Sequence, residues 1–285
     1  GTMGEPMCRN LARKSGMTVL AADRDKAPLD RLAADGVKIA SVEEIAESCR
    51  TIFLSLPGGR EVEEVCLGNG GLVSKARLGW TVIDLSTAPP LLARRLYEEF
   101  QGKASAFADA PVARTRQAAI DGTLSIMVGA TVPTYERIEP LLRHMASEVT
   151  HCGDVGAGQT VKILNNMILF QTVVALAEGL SIARANGVDG KVLFETLTKG
   201  SADSFALRNH GMKALLPGVF PERAFSTKYA LKDLGYAIDM AEQAKIPALG
   251  ADVAREVMER AVELGHGEEY WPVLLKAIED ATGKP

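Results

Sequence analysis

Lys162 and Asn166 stand four residues apart in the run Gly156-x-Gly158-x-x-x-Lys162-x-x-Asn165-Asn166. Residues at i and i+4 lie one above the other on a helix face. The spacing therefore sets an ammonium beside a carboxamide. Beyond Asn166 the chain turns apolar, through Met167, Ile168, Leu169, Phe170, Val173, Val174, Leu176 and Ala177. A lysine at the head of such a helix is either its solvated end or a group held in a cleft for a purpose, since lysine is rarely buried without a partner. On the helix alone both readings stand.

A second group of residues could hold a nucleotide. Gly1, Thr2, Met3 and Gly4 run into a helix through Asn10 and Leu11, like the second half of a glycine-rich phosphate loop. The full fingerprint, G-x-G-x-x-G, needs a strand and one more glycine ahead of Gly1. We expect that strand, of about 5–6 residues, and that glycine to be missing. Asp23 closes the apolar stretch Met17 to Ala22. Its distance from Gly4 suits the acid that bonds an adenine-ribose 2′-hydroxyl, roughly 20 residues on. A carboxylate there repels a 2′-phosphate, which favours NAD over NADP. Arg24 and Arg31 are nearby arginines that could accept such a phosphate.

The elements that would position these residues alternate. A helix is expected at 26–35, a short strand at 37–39, and a helix opened by a capping box from Ser41 to Glu44. The apolar run 51–56 reads as a strand buried on both faces, ending at Pro57. Another strand spans 80–85 and ends at Ser86 and Thr87, followed by a helix to Phe100. Ligands bind α/β sheets beyond such strand ends, so Leu56, Pro57 and Thr87 are candidate cofactor contacts. Strands at 105–112 and 122–129 and a helix at 133–147 complete the alternation. This pattern implies a Rossmann-type, doubly wound parallel sheet. From Gly158 the pattern is all helical. The expected division is a dinucleotide-binding domain at 1–156 and an all-α domain at 157–285, linked by a long central helix.

Composition bounds the rest. The chain has 285 residues, 47% of them hydrophobic and 24% charged, with net charge −4. That balance argues against broad binding to nucleic acid or anionic membranes. Cys8, Cys49, Cys66 and Cys152 are scattered without metal-ligand spacing, so neither a disulfide framework nor a metal site is expected. Reduced thiols fit a cytoplasmic protein. Asn165, Asn166, Gln171, Thr172 and Glu178 interrupt the apolar helix, so no uninterrupted run reaches the roughly 18 residues of a membrane span. No signal peptide is visible.

Together the motifs resemble the β-hydroxyacid dehydrogenase family, which includes 3-hydroxyisobutyrate dehydrogenase and tartronate semialdehyde reductase. The resemblance covers essentially the whole chain. It rests on Gly1 to Met7, Leu56-Pro57, Asp84 to Thr87, Asp109 to Val112, Gly122 to Leu124, the Gly156 to Asn166 run, and Lys232-Asp233-Leu234. It implies hydride transfer between NAD(P) and a small 3-hydroxy acid or its semialdehyde. By resemblance, Lys162 is the acid/base and Asn166 orients it or the substrate. Lys232 falls near nicotinamide and substrate, and is a candidate for the second cation that, with burial, would lower the lysine's pKa. Ser204 and Phe205 fall where the family's second domain approaches the substrate.

One departure stands out. After Asp109-Ala110-Pro111-Val112 the family has Ser-Gly-Gly at the substrate carboxylate, whereas this chain has Ala113-Arg114-Thr115. An Arg-Thr pair here resembles sulfolactaldehyde reductases, where the arginine serves a sulfonate. Arginine offers a planar fork of donors to an oxyanion. The expected substrate is thus a small anion whose acid group meets Arg114. An alternative is an imine reductase of the same architecture, against which Lys162 counts. 6-Phosphogluconate dehydrogenase shares the architecture but is longer. A non-catalytic NAD(P)-binding relative is a further alternative. The long apolar helix suggests packing across a homodimer or homotetramer interface. Trp271 is expected in the core or as a lid.

Overall fold

The structure is a computed structural model and describes residues 1–222 and 224–281. The chain forms two compact units, Gly1–Lys162 and Ile163–Pro285.

The first unit carries eight strands: β1 (Leu20–Ala21), β2 (Lys38–Ile39), β3 (Thr51–Leu54), β4 (Thr81–Asp84), β5 (Ala106–Asp109), β6 (Val112–Ala113), β7 (Leu124–Gly129) and β8 (Ala146–Gly153). β1 and β2 pair in parallel as a separate small sheet. The main sheet runs β3-β4-β5-β7-β6, with β8 also on β7. All four residues of β4 are buried. Successive side chains on a strand point to opposite faces, and here the two faces meet different helices. Val82 and Phe107 pack with Val62, Leu96 and Phe100. Ile83 and Ala108 pack with Met7, Leu11, Ile138 and Leu142. Helices thus cover both faces, as a doubly wound sheet requires.

The sheet is mixed rather than wholly parallel. β3, β4 and β5 run parallel, but β7 is antiparallel to β5 and to β6. The expected single strand at 105–112 breaks between β5 and β6, where Pro111 has no N–H for a ladder. A short helix, Arg116–Asp121, then turns the chain back into β7. The helix expected to reach residue 147 stops at Leu142, because Ala146 starts β8. The capping box forms: Ser41 Oγ accepts from Glu44 N–H at 3.1 Å, and Glu44 Oε2 accepts from Ser41 N–H at 2.7 Å.

The central helix runs Ala157–Ala185, so the division between the units falls inside it. In the second unit Phe170, Val173, Ala177 and Leu180 of that helix bury against Phe194, Leu207, Leu234, Met258 and Trp271. Among the described residues the other α-helices of this unit are Gly190–Leu197, Thr227–Gln243, Leu249–Glu263 and Leu274–Asp280. A helix is expected from Ser204 to Leu215, and Leu207–Leu215 is wound as a wider π-helix. Nothing in its local sequence signals that winding. Trp271 is a core residue, edge-on to Phe170 at 4.8 Å between ring centroids. By length and composition the central helix could also cross a membrane, with a mean hydropathy of 1.5 over its most apolar window. The core helix of a globular fold has the same composition, and here its apolar side chains build the second unit's core.

Candidate active site

The head of the central helix is built around Asp109, at the end of β5. Its carboxylate accepts from Gly156 N–H at 2.6 Å and from Gln159 N–H at 2.7 Å. A carboxylate on the first-turn donors satisfies them and suits the positive end of the helix dipole. The two glycines of the motif have separate reasons. Gly156 has φ +94°, where a side chain is strained. A Cβ on Gly158 would lie 2.4 Å from the Met127 carbonyl oxygen and 2.9 Å from that of Asp109. The helix therefore starts with its backbone against the strand ends.

Gln159, fully buried, ties this helix to the loop after β4. Its Nε2 donates to the Ser86 carbonyl at 2.7 Å, and its Oε1 accepts from Ala88 N–H at 3.0 Å. The carboxamide thus straddles Thr87. Ser86 Oγ in turn accepts from Leu56 N–H at 2.9 Å. The loops carrying Leu56-Pro57 and Thr87, expected from strand ends alone, are joined through this one hydroxyl. Asp84 lies directly opposite Asp109 across β4 and β5. Burial pushes Asp84 up to about 7, against its bonds to Ser86 and with a further rise from Asp109's charge. Burial likewise pushes Asp109 up to about 6, against the pull of its backbone donors.

Lys162, one turn beyond Gln159, is only 9% exposed. The solvated-end reading of this lysine is thereby removed. In the second unit Asn166 is also buried, and its Nδ2 donates to Asp233 Oδ2 at 2.8 Å. Asp233 Oδ1 meets Lys232 Nζ at 3.0 Å. That ammonium also lies 4.1 Å from the ring centre of Tyr229 and 5.3 Å from that of Tyr236, within cation–π range. Asn166 and Lys232, which come from distant parts of the sequence, are thus joined through a buried carboxylate.

The Ala113 to Thr115 segment is placed less simply. Ala113 pairs with Ser125 in the β6–β7 ladder. Arg114 has φ 85°, a left-handed conformation that favours glycine. Its Nη1 donates to the Thr123 carbonyl at 2.7 Å and to Ser147 Oγ at 3.0 Å. Thr115 Oγ1 caps the Arg116–Asp121 helix by accepting from Ala118 N–H. Ser204 Oγ accepts from Leu207 N–H at 3.0 Å, at the entry to the π-helix.

At the nucleotide end, the helix Gly4–Ser15 follows Met3 with no side-chain cap. A Cβ on Gly4 would sit 3.1 Å from Ser55 Oγ, just past β3, whereas one on Gly1 would meet nothing within 4 Å. Close helix–strand packing at Gly4 is what the last glycine of a dinucleotide loop provides. Asp23 lies just past β1 and accepts from Asp25 N–H at 2.9 Å. Arg24 reaches Glu64 on the surface. Arg31 is held by Glu5 through two bonds.

Sequence reasoning gave no role to Glu5, Asp84, Gln159 or Asp233. Asp84 and Asp233 sit inside recognised motifs. Gln159 could have been found as the amide on the same helical face as Lys162, three residues before it.

A glycine at a close helix–strand contact and an acid past the next strand suit a dinucleotide-binding α/β protein. Comparison with known proteins narrows the class. Residues 1–153 match the NAD binding domain of 6-phosphogluconate dehydrogenase. Residues 156–276 match the NAD-binding domain of NADP-dependent 3-hydroxyisobutyrate dehydrogenase. The chain is 32% identical to the 2-(hydroxymethyl)glutarate dehydrogenase of Eubacterium barkeri, over 99% of this chain and 94% of that one. It is 36% identical to the 3-hydroxyisobutyrate dehydrogenase of Pseudomonas aeruginosa, over 88% and 86% respectively. The solved structure of Mycobacterium tuberculosis 3-hydroxyisobutyrate dehydrogenase with L-serine superposes with a TM-score of 0.88 at 27% identity, covering 98% of this chain and 96% of that one. The chain belongs to the β-hydroxyacid dehydrogenase family and is an NAD(P)-dependent oxidoreductase.

Proposed function

We propose that the enzyme interconverts a small anionic 3-hydroxy acid and its semialdehyde, with Lys162 as the general acid and base. The observation that carries this reading is the burial of Lys162 on a helix whose head Asp109 and Gln159 pin to the strand ends. Bound nicotinamide supplies the hydride donor or acceptor. Lys162 gives a proton to the carbonyl oxygen in reduction and takes the hydroxyl proton in oxidation. Asn166 and Lys232, both bound to Asp233, orient substrate and cofactor. Gly1, Thr2, Met3 and Gly4 would hold the pyrophosphate. Asp23 would hold the adenine ribose and so favour NAD, and Leu56, Pro57 and Thr87 would line the cofactor's path. We place the nucleotide domain at 1–156 and the substrate and oligomerisation domain at 157–285.

Arg114 sets the acid group. With Nη1 on Thr123 and Ser147, the guanidinium has further N–H donors for an oxyanion. Ala113, Thr115 and Ser204 complete the substrate-binding set. The test is consumption of NADH and NADPH with small semialdehydes that end in a carboxylate or a sulfonate. Sulfonate preference that is lost in R114G supports an Arg114 anion site. Carboxylate preference that survives R114G leaves Arg114 with its structural contacts only. No turnover of either class contradicts the assigned reaction.

The enzyme acts as a homodimer or homotetramer in this reading. Ile168 and Ile182 of the central helix, with Leu249, are well exposed apolar side chains of the second unit. Light scattering that finds a monomer at working concentration contradicts it.

A further inference from the structure

Glu5 is an acid in an awkward place. It is the second residue of the Gly4–Ser15 helix and only 8% exposed. The positive end of that helix faces the pyrophosphate in a dinucleotide fold. An unpaired carboxylate there would repel the ligand. Instead Glu5 is held by two arginines. Arg31 Nε donates to Oε1 at 2.9 Å, and Arg31 Nη2 donates to Oε2 at 2.7 Å. Arg9 Nη2 adds a third bond to Oε1 at 3.0 Å. These bonds, that of Arg31 foremost, hold the Glu5 carboxyl down at about 2. It is therefore ionised throughout the physiological range.

Arg31 belongs to the helix Lys26–Ala34, which starts just after Asp23. It is thus an arginine on the element that follows the ribose-reading acid. An arginine near that acid is the group that accommodates a 2′-phosphate, and its planar fork suits one. Here the fork is closed on a carboxylate. Arg9, the other partner, is itself bonded to Asp35 and does not depend on Glu5 for a counter-charge.

We propose that Glu5 is a specificity-determining residue that favours NAD over NADP by engaging Arg31 and so withdrawing one of the two arginines, the other being Arg24, that a 2′-phosphate could meet. Asp23 and Glu5 then act in different ways. Asp23 repels the phosphate directly, and Glu5 works only through Arg31. This rests on the nucleotide-site reading, in which Asp23 meets the adenine ribose.

The test compares dissociation constants of NADH and NADPH, by nicotinamide fluorescence, for wild type, E5Q, E5Q/R31A and D23S. The glutamine keeps the shape and removes the charge. E5Q should tighten NADPH relative to NADH by about tenfold, the worth of a charge-assisted bond to a phosphate. The gain should vanish in E5Q/R31A. Thermal melts establish that each variant is folded. If E5Q does not fold, E5D serves: its shorter reach breaks the two-bond geometry and should give a smaller shift in the same direction. An unchanged ratio in E5Q or E5D, with D23S shifted towards NADPH, overturns the role of Glu5 and leaves the nucleotide site standing. A gain that persists in E5Q/R31A also overturns it. Unchanged ratios in D23S and E5Q together contradict the nucleotide-site reading itself.

Discussion

The side-chain amide of Asn166 donates to the carboxylate of Asp233 at 2.8 Å, and both residues are buried. The other oxygen of Asp233 meets Lys232 at 3.0 Å. One carboxylate therefore sets the rotamers of two residues with proposed roles at the reacting groups. Removing a partner from a buried charged pair costs more than the pair's net worth, because the remaining group stays desolvated. D233A should lower kcat about 10- to 100-fold, since small displacements at a reacting centre are expensive. D233N keeps the shape and should retain more activity than D233A. Steady-state kinetics on folded protein decide it, and wild-type kcat in D233A would show that Asp233 positions nothing.

Gly158 tests the packing of the helix head. A methyl there meets two backbone carbonyls at under 3 Å, and neither belongs to a flexible side chain. G158A should destabilise the protein by about 3 kcal/mol, at the upper end of overpacking costs, and turnover should fall with it. Denaturant melts give the number. A change below about 0.5 kcal/mol, the range of ordinary surface substitutions, would mean that the helix does not start against the strand ends.

Asp84 carries a pH dependence of stability. Its folded pKa, about 7, lies above its ordinary 3.8 because of burial. The folded state therefore holds a proton that the unfolded chain releases. That contribution is fully present below about pH 4 and is lost as pH rises through 7. D84N mimics the neutral acid at every pH. Relative to wild type, it should gain on the order of 4 kcal/mol at pH 8 and little at pH 4. Thermal melts across this range check the sign. A D84N that is equally destabilised at both pH values would contradict the assignment.

Much of this arrangement is legible in the sequence because it is local. Alternating apolar strands and amphipathic helices gave the doubly wound sheet, and the stops after β3 and β4 marked the two loops that Ser86 joins. Gly156 and Gly158 marked the helix head, though not why each is a glycine. One reason is a φ of +94° and the other a backbone contact from distant strands. The reversal of β7 was hidden, since apolar strands read alike in either direction. Asp109 reads as part of a motif, but its place on Gly156 and Gln159 spans 47 and 50 residues of sequence. The pairing of Asn166 with Asp233, 67 residues apart, and of Glu5 with Arg31 likewise depends on tertiary placement. Arg114 was visible as a departure. Its left-handed backbone and its bonds to Thr123 and Ser147 were not.

The central claim is that Lys162 moves the proton. The direct measurement is turnover by K162A, with circular dichroism to establish its fold and NADH fluorescence to establish cofactor binding. A general acid contributes about 10²- to 10⁴-fold. Loss of kcat by at least that factor, with fold and NADH binding intact, is the expected result. A folded K162A that turns over like the wild type would contradict the account.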